Sequence, residues 1–193
     1  MYYHGIVNGL VTDKVLKILE NREISSMSRL GIRKRIGFNE NDYISICANL
    51  GEDVYSKYSN NAFDKYIMNH FCFIIDEDIP AIKTEYIDSN GISAFDLYRL
   101  KSNNPDKRFS DIIDEYQVLG CIPIDKIVAI GIPYDLEVTD GFIKLSNFCF
   151  LNREEFCDFI KQVEEIANDL GLRIVNSSSS EFRSMFKNSK KIY

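Results

Sequence analysis

Apolar residues fall into short blocks separated by polar or turn-rich stretches, and the spacing inside each block sets the element it predicts. Residues 2–7 form a short strand, followed by a helix capped at Thr12 or Asp13 whose apolar face is Val15, Leu16 and Leu19. Residues 22–42 are polar, basic and broken by Gly31 and Gly37, which predicts a long loop, a feature that in a compact domain is usually functional or mobile. Tyr43–Ala48 predicts a strand. Residues 52–67 carry Val54, Tyr58, Ala62 and Tyr66 on one helical stripe, and Phe71–Ile75 is an unbroken apolar run suited to a buried strand. Residues 93–100 predict a short helix, and SNNPDKR after them is a turn-rich connection.

The second half is more regular. Residues 115–122 and 127–132 are two β runs joined by Pro123, Ile124, Asp125 and Lys126, too short for a crossover helix, so the runs are expected to pair as neighbours. Asn152 and Glu155 are spaced as a capping box ahead of a helix over 153–170, with Phe156, Phe159, Ile160, Val163, Ile166, Ala167 and Leu170 on one stripe and Gly171 after its end. Residues 172–175 add a strand. The serine run 177–180 then reads as a linker to a basic tail, which divides the chain into one domain over 1–176 and a tail over 177–193. An opening strand and helix followed by antiparallel-looking strands predicts an α+β fold rather than an alternating α/β one. No internal repeat of about 20 to 50 residues is present.

Composition narrows the class. A chain of 193 residues with 45% apolar and 27% charged residues, including 13 Phe and 11 Tyr, builds a single core and excludes disordered or collagen-like chains. No apolar run approaches the roughly 18 residues of a membrane span. The first residues lack a basic n-region, an apolar h-region and a small-residue cleavage site, so a cytoplasmic location without membrane contact is expected. Five cysteines in apolar surroundings, with no CxxC spacing, are expected to be reduced, buried thiols. His4 and His70 are the only histidines and neither has a cysteine pair nearby, so no metal is expected.

A net charge of −6 argues against wholesale coating by nucleic acid, but the charge is uneven. Residues 1–35 carry 7 basic and 3 acidic groups, residues 36–180 carry 12 and 25, and residues 181–193 carry 4 and 1. Arg22, Arg29, Arg33, Lys34 and Arg35 either meet phosphates or form a solvated loop, and charge alone favours the loop.

The chain contains no P-loop, GxGxxG, HExxH or GxSxG string, which removes support for P-loop NTPases, common dinucleotide enzymes and common hydrolases. Chemistry has to come from scattered residues. Alternation in DEYQV places Glu115, Gln117 and Leu119 on one face of a strand, so a carboxylate stands beside an amide. Such a carboxylate can hold a sugar hydroxyl and stabilise positive charge developing at an anomeric carbon. His4 lies in the first strand, where Gly5 lets another group approach the backbone closely. Tyr43, Tyr55, Tyr58 and Tyr66 can each stack a flat heterocycle and offer a hydroxyl. Taken singly, His4 and Glu115 also fit a structural histidine and an acidic strand entrance.

Taken in order, the strand with His4-Gly5, the helix, the loop, the strand ISIC, the Tyr-containing helix, the strand FCFII and the late strand DEYQV resemble the ADP-ribosyltransferases of the diphtheria-toxin and poly(ADP-ribose)-polymerase type. The resemblance spans about residues 2–132. It implies a single α+β domain of two packed, mostly antiparallel sheets with flanking helices, using NAD as substrate and no metal. It further implies that His4 binds the adenine-side ribose, the backbone of Gly5 holds the nicotinamide carboxamide, and Glu115 grips the nicotinamide ribose. Ile6 stands where family members often have Ser or Thr. Ser45 falls where the family's strand tyrosine lies, with Tyr43 on the same face and Tyr55 or Tyr58 left as the stacking residue. The cholera-toxin type fits worse, because its Arg and upstream Glu or Gln positions hold His4 and Ile113. The DNA-thymidine ADP-ribosyltransferase toxins also place a basic loop between the first helix and second strand, which makes Arg33 or Arg35 a candidate for the NAD phosphates or a nucleic-acid acceptor.

The implied activity is mono-ADP-ribosyl transfer from NAD to a protein or nucleic-acid acceptor, as in a toxin or effector, with release of nicotinamide. The alternatives are an RNA 2′-phosphotransferase-like enzyme and a non-catalytic binding module on the same fold.

Overall fold

A computed structural model describes residues 1–7, 9–26, 29–30, 42–48, 67–83 and 115–187. In chain order its strands are β1 (Tyr2–Ile6), β2 (Glu23–Ser25), β3 (Tyr43–Ala48), β4 (Phe71–Ile75), β5 (Ile82–Lys83), β6 (Glu115–Leu119), β7 (Cys121–Pro123), β8 (Ile127–Ile132), β9 (Val138–Thr139), β10 (Phe142–Ser146), β11 (Cys149–Leu151) and β12 (Arg173–Asn176). The helices are α1 (Val11–Asn21), α2 (Arg153–Asp169) and α3 (Ser180–Lys187).

A seven-stranded sheet runs in the order β12-β8-β4-β1-β3-β6-β5 and is joined by a three-stranded sheet, β11-β10-β9, and a two-stranded one, β2-β7. Helices and antiparallel-dominated sheets are combined as an α+β chain requires, and the described strands form one large sheet and two small ones. The single parallel contact among the described strands, β8 with β12, is reached by a crossover through the β9–β11 hairpins and α2. All five residues of β4 are buried, which is why FCFII carries no polar side chain.

Alternation gives the main sheet two faces. On one, Ile6, Ile44, Ile46, Phe71, Phe73 and Ile130 pack with Val15 and Leu19 of α1 and with Phe156, Phe159 and Val163 of α2. Phe71 and Phe159 meet edge-on at 5.2 Å between ring centroids. On the other, Tyr3, Cys72, Ile74 and Ala129 pack with Phe182 of α3.

The strands β3 and β4 occupy the expected residues, and α2 closes its capping box with Glu155 N–H to Asn152 Oδ1 at 2.9 Å and Asn152 N–H to Glu155 Oε2 at 2.8 Å. Helix α1 starts at Val11, ahead of either expected cap, and Leu10 at its N-cap makes no side-chain cap bond. Val11 is 1% exposed and continues the stripe of Val15 and Leu19, so packing sets this start.

Four expectations are corrected. The runs 115–122 and 127–132 are not neighbours: β6 pairs with β3 and β5, whereas β8 lies between β4 and β12. Gly120 causes the break, with φ of +79° that glycine adopts without strain. Its N–H donates to Asp42 O at 2.7 Å and its carbonyl accepts Ser26 N–H at 2.8 Å, turning the chain into β7. Second, β7 pairs with β2, a strand inside the expected loop 22–42. Third, the serine run is no solvated linker, because Ser177 is fully buried and Phe182 of α3 is 1% exposed. Fourth, only Cys72 and Cys149 are buried; all five thiols are free, and Cys157 is exposed on α2 between Phe156 and the inward Phe159 turn. The expected helix over 93–100, and that over 52–67 apart from Ile67, lie outside the described residues. Among the described residues, no helix is long and apolar enough to cross a membrane.

Candidate functional site

Strands β1, β3 and β6 carry the described candidate residues. The β3–β6 ladder runs without a break from Tyr43 opposite Leu119, through Ser45 opposite Gln117, to Cys47 opposite Glu115. The β1–β3 ladder has two pairs only, Tyr2 opposite Ala48 and Tyr3 opposite Cys47. One row therefore crosses three strands: Tyr3, Cys47, Glu115. With neighbouring strands about 4.8 Å apart, the backbone of Glu115 is about 10 Å from that of Tyr3.

The ladder stops where His4 begins. Its Nδ1–H donates to the carbonyl of Ser45 at 2.8 Å, the group that a continued ladder would join to the backbone of β1. No ladder pair joins His4 or Gly5 to β3. The result is a wedge between β1 and β3, with Gly5 on its β1 side and Ser45 on its β3 side. On its other edge β1 remains fully paired to β4, Gly5 opposite Cys72 and His4 opposite Phe73, so the wedge has one rigid wall.

Parity sorts the candidates. Ile44, Ile46 and Val118 are buried on the α1 and α2 face, so Tyr43, Ser45 and Cys47 and positions 115, 117 and 119 belong to the other face. Gly5 shares that parity through Tyr3. Helix α3 covers this face over Tyr3, Cys72 and Ala129, while over β3 and β6 Ser45 is exposed and Leu119 is 64% exposed. Gly5, Tyr43 and Ser45 thus share one half-covered face, and the backbone of Glu115 takes its register position opposite Cys47, four residues along the ladder from Tyr43. His4 starts from the opposite face, on which the Tyr2 and Tyr116 rings meet at 5.1 Å between centroids, and reaches the Ser45 carbonyl. Arg33, Arg35, Tyr55 and Tyr58 lie outside the described residues.

Burial holds the His4 pKa below the ordinary histidine value; the bond to Ser45 opposes this, and the nearby Lys14 ammonium adds to it. The imidazole is neutral near pH 7. Its bond to a carbonyl assigns the proton to Nδ1 and leaves Nε2 as an acceptor. Because the folded value is lowered, the contribution of His4 to stability is full above the unfolded value near 6.5 and is lost as pH falls through the folded one. Denaturant unfolding of wild type and His4→Gln should therefore show a difference in stability that changes as pH falls from 7.5 through this window. Equal pH dependence in both would remove His4 as a buried neutral base.

Lys14 was not singled out by the sequence, although its place in the first turn after the β1–α1 loop is a signal: burial lowers its pKa, so this ammonium is poorly hydrated. Among the described residues no group of three His, Cys, Asp or Glu side chains is placed to hold a metal ion. Comparison of the chain with protein-family models, curated proteins and solved structures gives no match.

Proposed function

We propose that this chain is a mono-ADP-ribosyltransferase that moves ADP-ribose from NAD to a macromolecular acceptor, on an ADP-ribosyltransferase-like domain. The observation that carries this reading is the end of the β1–β3 pairing at His4 and Gly5, with Ser45 on the facing strand and position 115 one strand further on. A flat carboxamide ring requires a slot with backbone hydrogen-bonding groups and no side chain on one wall, which Gly5 supplies. A ribose then fits between that slot and Glu115, whose backbone is about 12 Å from that of Gly5, across two strand spacings and two residues along the strand.

The chemistry follows from the groups. The bond between C1′ of the ribose and the ring nitrogen breaks, and nicotinamide leaves neutral with the bonding electron pair. Positive charge develops at C1′, where the Glu115 carboxylate stabilises it and holds a ribose hydroxyl. An oxygen or nitrogen of the acceptor forms the new bond to C1′ and releases its proton to water. Nε2 of neutral His4 accepts a hydrogen bond from the adenine-side ribose. Nicotinamide titrated into ¹⁵N-labelled protein should shift the Gly5 amide and the His4 ring nitrogens first; shifts confined to the α2 side of the sheet would overturn the slot.

The basic loop supplies a separate expectation. Arg33→Gln combined with Arg35→Gln should weaken transfer to nucleic acid and flatten its salt dependence, because each lost phosphate contact removes about one counterion from the slope. NAD hydrolysis without acceptor should be spared. Loss of hydrolysis with a raised KM for NAD would instead assign these arginines to the NAD pyrophosphate.

A further inference from the structure

We infer that the outward face of the β9–β11 sheet is a two-fold interface at which a second copy of this chain docks; this does not rest on the transferase reading. Ile143, Leu145 and Cys149 point inward and are 3%, 4% and 5% exposed, so alternation turns Phe142, Lys144 and Phe150 outward. The inward three belong to the cluster of Phe156, Phe159 and Val163 of α2, which places the hairpins on the α2 side of the main sheet, away from the face of Gly5 and Ser45. The outward rings lack such cover: Phe142 is 51%, Phe150 52% and Phe148, at the β10–β11 turn, 74% exposed. Lys144 stands directly opposite Phe150, so Phe142 and Phe150 are diagonal neighbours, within reach of one another as aromatic side chains.

The area suits a dimer. At about 200 Å² per aromatic side chain, the three rings present about 350 Å² of apolar surface, within the range at which a patch on a single chain is often functional. A stable interface takes about 800 Å² from each partner, with aromatic residues at its centre and polar ones around them. The rings supply that centre, and Glu137, Thr139, Asp140 and Lys144 supply polar groups beside it.

Charge selects a second copy as the occupant. One step past the Val138–Ile143 pair, Glu137 takes the register position beside Lys144, and Asp140 opens the β9–β10 turn; both carboxylates are exposed. The Lys144 ammonium turns instead toward β11, 5.9 Å from the centroid of the Phe150 ring, and among the described residues neither it nor Glu137 nor Asp140 forms an ion pair. The face therefore carries both signs, uncommitted, around an apolar centre. Nucleic acid or an anionic membrane would be repelled by the two carboxylates. A two-fold contact requires the mixture, because one patch meets itself and each copy has to supply both members of every pair. Lys144 of one copy meets Glu137 of the other, twice, while the lysine stem stays on the apolar ring surface.

The test uses the full chain in sedimentation equilibrium without NAD, over a dilution series up to about 100 μM. Wild type should reach twice the chain mass and no more. Phe142→Ala combined with Phe150→Ala should raise the dissociation constant about 100-fold or more. Lys144→Glu and Glu137→Lys should each dissociate the dimer alone, and an equal mixture of the two variants should restore it, since every pair is then again of opposite sign. These side chains lie outside the core, so unfolding at dilutions where wild type is monomeric should be unchanged. A chain monomeric throughout, or a dimer that the paired Ala substitutions leave intact, overturns the inference. So does a mixture that fails to associate, or growth beyond two copies, which marks a head-to-tail contact. Oligonucleotide or anionic vesicles held by a monomeric wild type and released by the double Ala variant overturn it in favour of that occupant.

Discussion

Glu115→Gln is expected to lower NAD turnover by about 10²-fold or more with no loss of melting temperature, the scale set by removing one dedicated electrostatic group. The amide is nearly isosteric and still accepts hydrogen bonds, so the β6 backbone keeps its pairing to Cys47 of β3. What disappears is the negative charge that opposes the positive charge at C1′. Initial rates of nicotinamide release, with melting curves on the same samples, check both halves. Full activity in a variant of unchanged stability would return Glu115 to an acidic residue at a strand entrance.

Phe182→Ala should cost about 3–5 kcal/mol of stability, the range for truncating a fully buried aromatic side chain. Phe182 is 1% exposed, stands edge-on to Tyr3 at 6.4 Å between centroids, and also approaches the place where a Cβ on Gly131 would sit. A linker and tail would predict no change on denaturant unfolding. The effect bears on the site, because Tyr3 begins the row through Cys47 to Glu115 and is held from behind by this helix. The serines support that helix: Ser179 Oγ accepts the Phe182 N–H at 3.0 Å and donates to Asn176 O at 2.7 Å.

Elements with one dominant local signal were legible from the chain. The alternating or unbroken apolar runs gave β3, β4 and β8 their residues, and Asn152 with Glu155 fixed the start of α2. Where one signal serves two structures, the chain misled. Serine favours both linkers and helix caps, and only the apolar spacing of Phe182 with Met185 separated the two. The β run 115–122 hid the turn at Gly120, since a β-rich composition does not report the sign of φ. Partner choice was equally hidden: β8, buried except at Val128, sits beside the fully buried β4, a matter of layer position and not of proximity in the chain.

At the candidate site, alternation groups Tyr43 with Ser45, and positions 115, 117 and 119 stand opposite Cys47, Ser45 and Tyr43 in the register. The end of the β1–β3 pairing was not legible, because it depends on a bond between residues 41 positions apart, His4 and Ser45. The aromatic hairpin was missed for the opposite reason. Its phenylalanines look like core residues in a chain with 13 of them, and only the register shows them turned outward.

The central claim is tested most directly with NAD carrying one label in the nicotinamide ring and another in the adenylate, incubated with the protein and single-stranded RNA, DNA or cell extract. The account predicts free labelled nicotinamide and an equal amount of adenylate label in acid-insoluble macromolecule, both lost in Glu115→Gln. Both labels remaining in intact NAD, under conditions where the protein binds it, would contradict the account and leave a binding module; movement of a phosphate from RNA in place of nicotinamide release as the first event would contradict it in favour of a phosphotransferase.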